Sequence, residues 1–318
     1  MAKETLERLA KLRVFGKSPI GAYLRLNEWI WNRVPRSMRA LRPITSYGHL
    51  LHSLVLLHGE RQMYLGTLFL RNRPELELIR RLSKLKAKDR RLKIAVLGSS
   101  NGAEVYSVMW AIRSMDPSLN VAIEAVDIST EALKAAERGV YSMGVSDLVR
   151  EPVLELMMDR ERQEMFDREG DEFRVKPAIK EGIRWHLGDA ASSEILDGLG
   201  PQDIVVANRF LCHMSPLDAE RCLRNIARLV APGGYLFVSG VDLDVRMKVA
   251  KELGWKPLSE LLQDIHEGDA TLTVSWPFKY WGLEPIDKRR PHWRIRYASV
   301  FQVGEQTLGG ATTAYPSH

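Results

Sequence analysis

From residue 92 onward, short apolar runs that stop at glycine or aspartate alternate with stretches of helical period. Lys93-Ile94-Ala95-Val96-Leu97 halts at Gly98, which predicts a parallel strand buried on both faces. Residues 104–115 predict a helix, and residues 121–126 a second strand closed by Asp127. Residues 129–138 predict a helix with Ser129 as its N-cap. Further on, residues 203–207 read as a strand, 218–230 as a helix, Pro232-Gly233-Gly234 as a turn and 235–238 as another strand. Strands alternating with helices predict right-handed βαβ units in an open α/β sheet.

The rhythm breaks between residues 163 and 185, where 171–175 and 182–185 predict two small strands. The first of these is taken as a small β insertion beside the main sheet, about 165–181. Past residue 243 come helices over 245–253 and 259–266. The alternation from Trp293 to Phe301 then suits an edge strand. The front of the chain has helix-like stretches broken by Pro19, Pro35, Pro43 and Pro74, with Trp29 and Trp31 expected in a core. Residues 80–93 predict a helix end and an exposed basic linker. The division expected is a helical region over 1–91 and an α/β domain over 92–318.

Charge sharpens that division. Residues 1–93 hold 21 Lys and Arg against 7 Asp and Glu, whereas the remainder holds 25 against 33. This asymmetry predicts an anionic partner for the front region, or a solvated Arg-rich helical face. An acidic protein surface is the partner expected, with nucleic acid disfavoured. Cys212 and Cys222 are too few for a disulfide framework or a four-cysteine metal site, so both are expected as free thiols and no metal is expected. No apolar run reaches the length of a membrane span or forms a signal-peptide core, so a cytoplasmic location is expected.

The chemistry concentrates at Gly98-Ser99-Ser100-Asn101-Gly102, between a strand and a helix. There glycine permits a tight turn and close approach of a ligand. The run also fits G-x-S-x-G, a nucleophile elbow with Ser100 as nucleophile. An elbow calls for earlier strands and a glycine-rich oxyanion loop, and the basic helical pattern before Lys93 offers neither. Asp127, one βα unit downstream, can accept hydrogen bonds from both hydroxyls of a ribose. Asp189 follows the third strand, where a polar group can meet an adenine amino group. Glu104, in the first helical turn, can pair with an α-ammonium and would repel a pyrophosphate. Each acid alone also suits an ordinary helix start.

The stretch Gly98-Ser-Ser-Asn-Gly102-Ala-Glu104-Val-Tyr106-Ser107 resembles the glycine motif of the chemotaxis-receptor methyltransferases, the CheR family. The resemblance continues through Ala125-Val-Asp127-Ile-Ser-Thr-Glu131-Ala-Leu133, Gly139-Val-Tyr141 and Phe173-Arg174-Val175-Lys176-Pro177. Upstream, Thr67-Leu-Phe69-Leu-Arg71-Asn72 is similar to the segment that family members lay over the cofactor. The resemblance implies a Rossmann-like class I methyltransferase sheet and S-adenosylmethionine as cofactor. It implies that Arg71 binds the methionyl carboxylate, Glu104 its amino group and Asp127 the ribose. Asp189 and Ala190 would stand beside adenine and Thr67 close by. Gly98, Ser100, Asn101, Gly102, Ile128 and Asn208 complete the implied cofactor set. The family's Arg-Asn pair appears here as Asn208-Arg209 and its tyrosine as His213, so Arg209 and His213 are the candidates on the substrate side.

A sulfonium is already a potent methyl donor, so the protein mainly has to place a nucleophile in line. A carboxylate acceptor needs no general base; a hydroxyl or amine does, and His213 could serve. The expected activity is transfer to a glutamyl carboxylate of an acidic, receptor-like partner met by the basic front region. A small molecule or saccharide, enclosed by Trp276, Trp281 and Trp293, is the rival acceptor. A noncatalytic cofactor-binding sensor is the third reading.

Overall fold

The computed structural model describes residues 19–31, 33–35, 67–87, 90–144, 152–268 and 286–304, with individual positions between 38 and 54. Trp276 and Trp281 lie outside the described residues. The elements run α1 (Pro19–Trp31), α2 (Arg73–Ala87), β1 (Leu92–Leu97), α3 (Ala103–Arg113), β2 (Val121–Asp127), α4 (Thr130–Arg138) and β3 (Val140–Ser142). There follow α5 (Asp159–Met165), β4 (Phe166–Glu169), β5 (Glu172–Val175), α6 (Pro177–Lys180), β6 (Ile183–Leu187), α7 (Ser193–Leu199) and β7 (Gln202–Asn208). A 3-10 turn (Leu211–His213) leads to α8 (Pro216–Leu229), β8 (Val230–Ser239), α9 (Leu243–Glu252), β9 (Lys256–Pro257), α10 (Leu262–Glu267), α11 (Trp293–Tyr297) and β10 (Val300–Gln302).

The main sheet has seven strands in the order β6-β2-β1-β7-β8-β10-β9. The first five are parallel; β10 runs antiparallel to both β8 and β9. Strand order reverses at β1, so the connections that leave β1 and β7 turn to opposite faces of the sheet and open the crevice where open α/β sheets bind ligands. β2 and β7 are buried along their whole length, which agrees with their mainly apolar sequence, and the polar side chains they carry, such as Glu124 and Asp203, are buried with them. Successive residues serve opposite faces. Ile94, Val96, Ile204 and Val206 pack with α2, α3 and the small sheet, while Ala95, Leu97, Val205 and Ala207 pack with α8 and α9. Leu78, Ile79 and Leu82 of α2 belong to the first of these cores. The expected β insertion is a three-stranded antiparallel sheet, β3-β5-β4, which recruits residues 140–142 from beyond the predicted segment.

Ser129 caps α4 as expected, its hydroxyl accepting from Ala132 N at 3.2 Å. Three expectations need correction. Pro232-Gly233-Gly234 is a bulge inside β8 rather than a turn: the register moves from Gln202–Val230 to Ile204–Tyr235. A Cβ at Gly234 would stand 2.8 Å from Ala231 O and 2.9 Å from Asp203 O, so the close approach requires glycine. The tail from Trp293 to Phe301 is half helix, α11, and its strand β10 sits between β8 and β9, not at an edge. Trp31 is buried with Leu24 and Leu51, but Trp29 is 56% exposed, with the Arg33 guanidinium stacked over its ring. Cys212 and Cys222 are free thiols.

Three buried carboxylates pin the scaffold through charge-assisted bonds. Asp203 accepts from Arg90 Nη1 at 2.9 Å, Arg90 Nη2 at 2.6 Å and Lys93 N at 3.0 Å. Glu124 meets Arg184 Nε at 3.0 Å and His186 Nε2 at 2.7 Å, and Glu161 accepts from Arg73 Nη2 and Met158 N, both at 2.8 Å. Burial pushes each carboxyl up, yet the hydrogen bonds and neighbouring cations outweigh it and hold all three below the ordinary range. A carboxyl depressed in the folded state stabilises it above the unfolded pKa, and that stability is lost as pH falls through the folded value. Thermal melting should therefore be level down to about pH 5 and drop steeply below about pH 4. Glu124→Gln should flatten part of that drop in the same scan.

Candidate functional site

The glycine turn opens at the carboxyl end of β1. Gly98 and Gly102 have φ of +71° and +89°, where a side chain is strained. A Cβ on Gly98 would meet the Phe210 ring at 2.9 Å, and one on Gly102 the Trp185 ring at 2.9 Å. Ser100 is also left-handed, with φ +49°. Its N–H donates to Asp127 Oδ2 at 2.7 Å, and Ser129 N donates to Asp127 Oδ1 at 2.8 Å. Asp127 thus clamps the turn to the end of β2. Each of its oxygens retains a second lone pair for an incoming hydroxyl. Tyr141 of the small sheet donates to Asn101 O at 2.6 Å and ties the turn from the other side.

A narrow cavity lies beside the first turn of α3. Thr67, Arg71, Glu104, Asn208 and Arg209 line it, which unites five of the expected residues from three distant parts of the chain. Asn72, Ser107, Glu75 and Ser239 line it too; the first two end stretches that carry the family resemblance, whereas no local pattern marks Glu75 or Ser239. Asn208 Nδ2 donates to Glu104 Oε1 at 2.8 Å and to Glu75 Oε1 at 2.7 Å. Phe69 N donates to Val153 O at 3.0 Å and Leu70 N to Ser107 Oγ at 3.0 Å, which seats residues 67–72 over the crevice. The Phe69 ring meets Tyr141 and Phe166 edge-on, with centroids 4.9 and 5.2 Å apart. Leu70 and Arg209, with φ of +53° and +64°, are strained positions on either side of the cavity.

The remaining candidates stand apart from that cavity. Ile128 is exposed just past β2. Asp189 is exposed beyond β6, its Oδ1 accepting from Ala191 N at 2.8 Å, and Ala190 is buried next to it. His213 ends the 3-10 turn with its N–H on Phe210 O at 3.1 Å, and does not line the cavity that holds Arg209. Among the described residues, no group of three His, Cys, Asp or Glu side chains is placed to hold a metal ion, and no helix is long and apolar enough to cross a membrane.

A parallel sheet whose strand order reverses at β1, a glycine turn beneath the crevice and an acid ending β2 define a Rossmann-like domain for a nucleoside-bearing cofactor. The family model described as CheR methyltransferase, SAM binding domain, matches residues 66–248, and the chain belongs to that family. The chemotaxis protein methyltransferase of Vibrio parahaemolyticus is 29% identical over 167 residues, which cover 51% of this chain and 58% of that protein. That of Pseudomonas putida is 29% identical over 163 residues, covering 48% and 54%. The chain thus spans little more than half the length of these relatives. Among solved structures, magnesium protoporphyrin IX methyltransferase from Synechocystis PCC 6803 aligns at 14% identity and a TM-score of 0.32, over 58% of this chain and 71% of that one.

Proposed function

We propose that this chain is an S-adenosylmethionine-dependent methyltransferase of the chemotaxis-receptor type, acting on a carboxylate of an acidic partner protein. The observation that carries the reading is the convergence of Arg71, Glu104 and Asn208 on one cavity beside the Asp127 clamp. These residues fit the two ends of the cofactor. The spare lone pairs of Asp127 suit ribose hydroxyls, the Glu104 carboxylate an α-ammonium, and the Arg71 guanidinium an α-carboxylate. Gly98 and Gly102 keep the turn free of side chains where the ligand must come close. When bound, the cofactor supplies an electrophilic methyl group on a sulfonium. Arg209, across the same cavity, is suited to orient an anionic acceptor. A carboxylate acceptor needs no general base, which agrees with the acceptor class of the family resemblance. The basic front region supplies attraction for an acidic partner.

Incubation with methyl-labelled cofactor and fractions of the source cells tests this reading. Label should enter protein and leave as methanol in mild base, as an ester does. Base-stable label, or label confined to small molecules or saccharide, would move the acceptor to the rival class.

A further inference from the structure

We propose that Glu75, in the first turn of α2, is a positioning residue for the cofactor's amino-acid end, acting through Asn208 on Glu104. The inference rests on the placement of that end at Glu104 proposed above. Glu75 is 5% exposed and faces the same cavity as Glu104 and Arg71. The two hydrogens of the Asn208 amide serve two carboxylates, Glu75 Oε1 at 2.7 Å and Glu104 Oε1 at 2.8 Å. The amide oxygen accepts from Ser239 N at 3.1 Å and Ser239 Oγ at 2.8 Å. Ionised carboxylates only accept, so the nitrogen must face the acids and the oxygen Ser239. The hydrogen-bonding capacity of Asn208 is thereby filled, and its side chain holds one orientation. Asn208 holds one oxygen of Glu104, which fixes the direction of that carboxylate at the cavity wall.

Glu75 itself is placed independently of this bond. Asn72 Oδ1 accepts from Glu75 N at 3.2 Å, and Asn72 Nδ2 donates to Ile265 O at 2.8 Å, so the start of α2 is anchored by backbone contacts. Removing the carboxylate leaves the helix in place but strands one hydrogen of a buried amide. Asn208 can then turn, and Glu104 loses its fixed direction. Glutamine at this position keeps an oxygen that accepts from Asn208.

The test measures by calorimetry the affinity of the parent, Glu75→Ala and Glu75→Gln for two ligands. S-adenosylhomocysteine carries the amino-acid end; 5′-methylthioadenosine lacks it. The alanine variant should bind the first about tenfold or more weakly, and the second within about twofold of the parent. The glutamine variant should recover the first to within about threefold. An equal loss for both ligands would mean a general structural role and overturn the proposal. So would an unchanged affinity in the alanine variant, or a glutamine variant as weak as alanine. If the parent binds neither ligand, the cofactor reading falls as well; if it binds both and Glu75→Ala is indifferent, only the role of Glu75 falls.

Discussion

Asp127→Ala should weaken binding of S-adenosylhomocysteine by roughly 10–150-fold, the span of about 1.5–3 kcal/mol for a charge-assisted hydrogen bond. Asp127 is 7% exposed and ends a strand buried throughout. The substitution removes the acceptor proposed for the ribose. It also frees the N–H groups of Ser100 and Ser129, now held at 2.7 and 2.8 Å, and so loosens the glycine turn. Asp127→Asn should lose less, because one oxygen can still accept from one of those groups. Calorimetric titration of the variants decides this. Equal affinity in parent and alanine variant would remove Asp127 from the site.

Arg246→Ala should cost about 2–5 kcal/mol of folding stability, from the cavity a large buried side chain leaves and the carbonyls it leaves unpaired. Arg246 of α9 is 1% exposed. It donates to Val238 O of β8 at 2.9 Å and Arg296 O of α11 at 3.1 Å, so it ties the C-terminal segment to the sheet. Burial, then the charge of Arg296, push its ionisation down to about 9, against a smaller lift from Asp242. At neutral pH both folded and unfolded states are protonated, and this residue adds no pH dependence. Above about pH 9 the unfolded chain binds more protons, so the penalty for burying the charge fades as pH rises. Arg246→Met should be more stable than Arg246→Ala, since it refills the volume without burying a charge. Urea unfolding of the two variants measures the difference.

Much of the sheet was legible because its physics is local. A strand buried on both faces has no polar alternation, so 93–97, 121–126 and 203–207 stood out as short apolar runs. Gly98, Gly102 and Asp127 were legible for a similar reason: a left-handed turn between strand and helix, and an acid ending the next strand, leave fixed marks in sequence. Other features depend on contacts that no window contains. Glu75 meets Asn208 across 133 positions, and nothing near Glu75 distinguishes it from an ordinary helix-start acid. Tyr141 reaches Asn101 across 40 positions, joining the small sheet to the turn. The Pro-Gly-Gly bulge uses the same residues as a turn, and only the pairing of β7 with β8 tells them apart. In the tail, Trp-Arg-Ile-Arg-Tyr alternates like a strand, yet the carbonyl of Arg296 is held by Arg246 within a short helix. Arg209 and His213 are four positions apart in sequence, yet of the two only Arg209 lines the cavity.

The crevice at the carboxyl ends of β1, β2 and β7 should bind S-adenosylmethionine. Calorimetric titration of the full chain with S-adenosylmethionine or its demethylated product tests it most directly. A saturable heat that fits one site per chain is expected. No heat at millimolar ligand would contradict it.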